Sequence, residues 1–138
     1  YYTAPTCGPT RAMLLTGVDN HMSGLGTNSA ALRRLPELRG RPGYEGFLND
    51  SVIPFPKILN QAGYDTFMTG KWHLGKKQGK LPTDQGFDKY FGILDGGGSH
   101  FSDASGTFSG TPDAEYFEDG KKLNKLCPLN ITSHRHIK

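Results

Sequence analysis

The stretch Pro54-Phe55-Pro56-Lys57-Ile58-Leu59-Asn60-Gln61-Ala62-Gly63-Tyr64-Asp65-Thr66-Phe67-Met68-Thr69 decides the fold. Phe55, Ile58, Leu59 and Ala62 recur at helical spacing and therefore share one face of a helix. Pro54 and Pro56 suit its first turn, where a backbone amide has no intrahelical partner to lose. Gly63 suits its end, where left-handed backbone closes the helix. Residues 64–69 then turn aromatic and β-branched, the composition of a strand. A helix followed so closely by a strand is one unit of an α/β sheet.

Directly after this strand stands Gly70-Lys71-Trp72-His73-Leu74-Gly75. Open α/β sheets bind ligands beyond the C-terminal ends of their strands, so this is where chemistry is expected. Lys71 and His73 are two apart and share a side if the backbone stays extended. A lysine holds an oxyanion, and a histidine exchanges protons near neutral pH. Taken alone, the pair reads as a surface lysine and a histidine packed beside Trp72. Further along, residues 87–93 form a second strand that leads into the flexible run Gly96-Gly97-Gly98-Ser99-His100.

Upstream lies Cys7-Gly8-Pro9-Thr10-Arg11-Ala12-Met13-Leu14-Leu15-Thr16-Gly17. Pro9 and Thr10 open a helix that Gly17 stops. Cys7 and Arg11, four apart, present a sulfur and a guanidinium on one face of its start. The helix N-terminus adds free N–H groups and a dipole that favour anions. Tyr1-Tyr2-Thr3 reads as the end of a strand, 18–28 as a polar loop containing His21, and 30–38 as a helical turn or two. Arg33, Arg34, Arg39 and Arg41 form a solvated basic surface. Glu118-Asp119-Gly120-Lys121 is a turn. Leu14, Leu15, Phe55, Ile58, Leu59, Phe67 and Phe91 are spaced to pack onto the sheet.

The 138 residues suit a single domain, and 19 Gly with 9 Pro indicate much loop. A net charge of +3 without a basic run gives no cause to expect nucleic acid. No apolar stretch is long enough to span a bilayer. The two cysteines, Cys7 and Cys127, are too few for a disulfide framework. Asn49-Asp50-Ser51 and Asn130-Ile131-Thr132 match glycosylation triplets, which also arise often by chance. Localisation stays open between a periplasmic or secreted place and the cytoplasm.

The segment from Cys7 to Gly17 resembles the sulfatase signature, Cys-x-Pro-Ser/Thr-Arg followed by a hydrophobic pair and Thr-Gly. Gly63-Tyr64-Asp65-Thr66 with Gly70-Lys71-Trp72-His73 resembles the second sulfatase signature. The texts around Gly43-Tyr44-Glu45-Gly46 and Gly86-Phe87-Asp88 are similar to bacterial arylsulfatases. Two ordered signatures are far more specific than either one.

The resemblance implies an alkaline-phosphatase-like α/β fold, with only part of the central sheet present. It covers residues 1–124 as a partial N-terminal sulfatase domain, while 125–138 departs from the family as truncation or a shifted frame would. It also implies hydrolysis of a small-molecule or sugar sulfate ester. A formylglycine-generating enzyme would recognise Cys7, Pro9 and Arg11 in the unfolded chain and oxidise Cys7. One hydroxyl of the hydrated formylglycine would then attack sulfur and expel the alcohol or phenol, and the other would lose its proton as the aldehyde re-forms and sulfate leaves. Arg11 orients that group, Lys71 binds sulfate oxygens, His73 assists proton transfer, and Ser99 with His100 lies near the sulfate.

Calcium is the family's cation, with the modified Cys7 as one ligand. The remaining ligands are expected outside this chain, and Asp19 and Asp103 match no metal motif. On this basis the isolated chain is expected to be inactive and marginally folded. The alternatives are a phosphodiesterase or phosphonate monoester hydrolase of the same superfamily, and a non-catalytic anion-binding remnant.

Overall fold

A computed structural model describes residues 2–99, 106 and 113–123. Helix α1 spans Cys7–Thr16, α2 Ser29–Arg34 and α3 Phe55–Gln61, with short 3-10 turns at Pro36–Leu38 and Thr83–Gln85. Strands β1 (Phe67–Lys71), β2 (Lys89–Ile93), β3 (Tyr116–Glu118) and β4 (Lys121–Lys122) form one sheet in the order β1-β2-β3-β4. β1 and β2 run parallel, with Phe67 opposite Lys89 and Lys71 opposite Ile93. β3 and β4 add antiparallel, joined by the expected turn, in which Asp119 and Gly120 both take positive φ.

The parallel pair sets the site, because it brings the C-terminal ends of β1 and β2 side by side. Its register is pinned at the other end by Asp88. The carboxylate accepts hydrogen bonds from the Thr66 amide at 2.8 Å, the Thr66 hydroxyl at 3.0 Å and the Asn60 side chain at 2.8 Å. The Asp88 amide donates in return to the Thr66 carbonyl at 2.8 Å. These bonds explain why β1 begins at Phe67 and not at Tyr64. Tyr64 still belongs to the helix exit, donating its N–H to Leu59 O, and Thr66 is consumed by Asp88. β2 likewise starts at Lys89, because Phe87 N–H closes the 3-10 turn onto Pro82 O.

The helical stretch expected over 30–38 breaks at Leu35, whose φ of −121° precedes Pro36. A residue before proline is pushed out of helical backbone by the ring. Of Tyr1-Tyr2-Thr3, expected as a strand end, Tyr1 lies outside the described residues, Tyr2 and Thr3 lie outside any strand, and Tyr2 is almost wholly exposed.

The core comprises Ala12, Leu15, Leu25, Leu48, Trp72, Leu74, Tyr90 and Leu94. Of the seven apolar residues expected on the sheet, only Leu15 is buried. Leu14, Phe55, Ile58, Leu59, Phe67 and Phe91 stay exposed. Among the described residues nothing pairs with the outer edge of β1, so the apolar surface there has no cover. The 18–28 loop is more ordered in its bonding than its polarity suggests. Asn20 Nδ2 donates to Leu25 O at 3.0 Å and Ser23 Oγ to Asn20 O at 2.9 Å, which buries Leu25. Among the described residues no helix is long and apolar enough to cross a membrane.

Candidate active site

α1 begins at Cys7 because Thr6 is still extended, at φ −135° and ψ 151°. Thr10 fastens the approach, donating its N–H to Thr6 O at 3.0 Å and its hydroxyl to Ala4 O at 2.5 Å. No side chain caps this end. Its first-turn amides and dipole therefore face whatever lies beyond Cys7, a favourable place for an anion. Ala12 and Leu15 anchor the helix in the core, while Cys7 itself is exposed and its thiol is free.

The second half of the site follows β1. Trp72 N–H bonds to Ile93 O at 2.8 Å and His73 N–H to Leu94 O at 3.1 Å, so the segment still tracks β2. At His73 the extended backbone ends: its φ is +61°. Left-handed backbone costs a residue with a Cβ about 1–2 kcal/mol. Strand alternation therefore does not set the direction of His73 relative to Lys71, although both side chains meet Gly96. The turn at His73 aims the imidazole at α1 instead, with Nδ1 3.3 Å from Cys7 Sγ.

Two backbone carbonyls complete the arrangement. Arg11 Nε donates to Trp72 O at 2.7 Å, and Lys71 Nζ donates to Gly96 O at 3.1 Å. Trp72 is itself fully buried, with its indole N–H on Lys80 O at 3.0 Å and its ring edge-on to Phe87. Cys7, Arg11, Lys71 and His73 are thus brought together from α1 and the end of β1. Neither carbonyl partner had a signal in residue type, since every residue has a carbonyl. The glycine run at 96–98, which reads as loop, was the only pointer to one of them.

The electrostatics follow from burial beside cations. Burial, then the charges of Lys71 and Arg11, lower the His73 pKa to about 4, against a weaker opposite pull from Asp95. The imidazole is therefore neutral at pH 7, able to accept or donate one proton. Burial also draws the Arg11 guanidinium below its ordinary value. Asp95 is engaged by Lys76 in an ion pair. Ser99 sits toward β3, its carbonyl accepting from Tyr116 Oη at 2.9 Å. His100, Asp103 and residues 125–138 lie outside the described residues.

Calcium does not fit the residues present. Hard cations take several carboxylate or carbonyl oxygens. Cys7 instead meets the His73 imidazole, on which the Lys71 ammonium and the Arg11 guanidinium act. Among the described residues no three His, Cys, Asp or Glu side chains converge on one point. Asp19 is occupied by His21, whose amide and Nδ1 lie 2.9 and 3.1 Å from its carboxylate.

The sulfatase family model matches residues 1–125. The chain belongs to the sulfatase family. It is 50% identical over 108 residues to a sulfatase of Schizosaccharomyces pombe, covering 78% of this chain and 20% of that protein. An arylsulfatase of Klebsiella aerogenes is 40% identical over 127 residues, covering 90% of this chain and 26% of that enzyme. This sulfatase chain thus spans about a fifth to a quarter of the length of these curated relatives. The crystal structure of Ps i-CgsB superposes with a TM-score of 0.60 at 24% identity, over 91% of this chain and 28% of that one. At that identity the likeness concerns the fold, and the partial four-stranded sheet is a part of the sulfatase fold.

Proposed function

We propose that this chain carries the nucleophile end of a sulfuric ester hydrolase, with Cys7 converted to formylglycine by a separate generating enzyme. The observation that carries this reading is the Cys7 Sγ to His73 Nδ1 distance of 3.3 Å at a helix N-terminus, with the charges of Lys71 and Arg11 acting on that imidazole. In the cysteine form, Sγ stands where formylglycine would supply an oxygen nucleophile.

The chain's own residues account for the remaining work. Arg11, with Nε committed to Trp72 O, turns its terminal nitrogens toward the anion and offsets its charge. Lys71 supplies a preorganised ammonium for charge that develops on sulfate oxygens in the transition state. His73, neutral and fixed at Nδ1, takes or returns the proton at the residue-7 oxygen. The first-turn amides of α1 add partial positive charge at no reorganisation cost. No step assigned to these residues passes through a metal ion.

Co-expression with a formylglycine-generating enzyme, then mass spectrometry of the peptide containing residue 7, tests the modification. An aldehyde is expected, and an active protein with only thiol at Cys7 overturns the reading. Hydrolysis of an aryl sulfate against an aryl phosphodiester, by a polypeptide of the relatives' length, tests the substrate class. Preference for the phosphodiester would place the protein with the phosphodiesterases and phosphonate hydrolases of the superfamily. Sulfate binding without turnover would leave the anion-binding reading, which the cluster of cations also supports.

A further inference from the structure

Gly96 touches both functional side chains that follow β1. Its carbonyl accepts from Lys71 Nζ at 3.1 Å. A Cβ placed on it would stand 2.8 Å from His73 Cε1 and 2.9 Å from Nε2, well inside van der Waals contact. Gly96 is not among the residues with positive φ, so its backbone would accept alanine. The missing side chain matters only for this close approach. His73 can yield only by giving up its contact, since its amide is bound to Leu94 O and Nδ1 meets Cys7 Sγ.

We propose that Gly96 is a positioning residue of the Cys7 centre, its carbonyl fixing the Lys71 ammonium and its bare Cα seating the His73 imidazole against Cys7. Its consequence for turnover rests on the sulfatase reading, whereas the seating of His73 does not. A Cβ at 96 would push the imidazole away from Cys7 and leave the fold standing, because the nearest atoms are those of one side chain and not of backbone.

The test is a double-mutant cycle in the full chain, reading thermal stability for wild type, Gly96→Ala, His73→Ala and the double variant. Gly96→Ala is expected to lower Tm in the wild-type background and to cost less than half as much beside His73→Ala, where the imidazole is gone. The His73 ring ¹⁵N shifts should move in Gly96→Ala while far-ultraviolet circular dichroism stays the same. Equal Tm losses in both backgrounds, or unmoved ring shifts, overturn the proposal. If Gly96→Ala alone fails to fold, folding of the double variant supports it and failure of both overturns it. In formylglycine-bearing protein of the relatives' length, kcat on an aryl sulfate should fall about 10²-fold, the scale of a misplaced catalytic group. Absence of turnover in the unsubstituted protein would defeat the sulfatase reading and leave the cycle to decide Gly96 by itself.

Discussion

At the scale of single residues, Arg11 shows a side chain whose geometry matters beyond its charge. Nε is bound to Trp72 O at 2.7 Å, which fixes the plane of the guanidinium and leaves its terminal nitrogens for other partners. A lysine carries three donors on one nitrogen but no planar fork, so it does not reproduce a carbonyl held at Nε with the terminal nitrogens left for an anion. Arg11→Lys is therefore expected to lower kcat/KM on an aryl sulfate by about 10²-fold despite keeping the charge, as loss of one preorganised donor does. Near-normal kinetics in this variant would show that charge alone suffices. Lys71→Ala should cost about 10²–10³-fold in kcat for the same reason. Turnover that survived both Lys71→Ala and His73→Ala would reduce the second signature to a structural role.

At the scale of elements, the β1–β2 register depends on one carboxylate. Asp88 is held below the ordinary carboxylate range, chiefly by the Thr66 amide, then by the Thr66 hydroxyl and Asn60. A depressed folded-state pKa means that its stabilisation is complete above the ordinary value and is lost as pH falls through the lowered one. Urea midpoints taken between about pH 6 and about pH 3 should therefore fall in the wild type and fall less steeply in Asp88→Asn. Parallel curves would show that Asp88 contributes nothing to acid sensitivity. The neighbouring element boundary rests on Trp72, which is fully buried. Trp72→Ala is expected to cost about 3–5 kcal/mol in denaturant unfolding, from lost packing and the cavity left behind.

At the scale of the whole molecule, the apolar surface divides unequally. Leu15 and Trp72 are enclosed, whereas Phe67 is 68% exposed and Leu14 62%. Ile58 and Phe55 add to the exposed set, and the outer edge of β1 has no partner among the described residues. Exposed apolar area beside an open strand edge promotes association. The isolated chain should therefore sediment with a concentration-dependent mass, and Ile58→Glu with Phe67→Lys should restore a monomer. A monomeric wild-type chain at high concentration would show that the face is covered.

The sequence by itself determined those features that depend on local backbone chemistry. Gly17 ends α1 at φ +72° with its N–H on Met13 O, and Gly63 follows α3 at φ +85°, because only glycine adopts that backbone without a Cβ clash. The Cys7 to Arg11 spacing placed sulfur and guanidinium at one helix start, and the two signatures named the family. Tertiary structure alone decided how His73 reaches Cys7, since its left-handed turn contradicts the extended spacing. It also decided that Arg11 and Lys71 are aimed by the carbonyls of Trp72 and Gly96, groups common to every residue and invisible to motif reading. The start of β1 and the exposure of Phe67 were settled in the same way. A ladder begins where its partner strand and Asp88 allow it, and an apolar side chain is buried only where another element covers it.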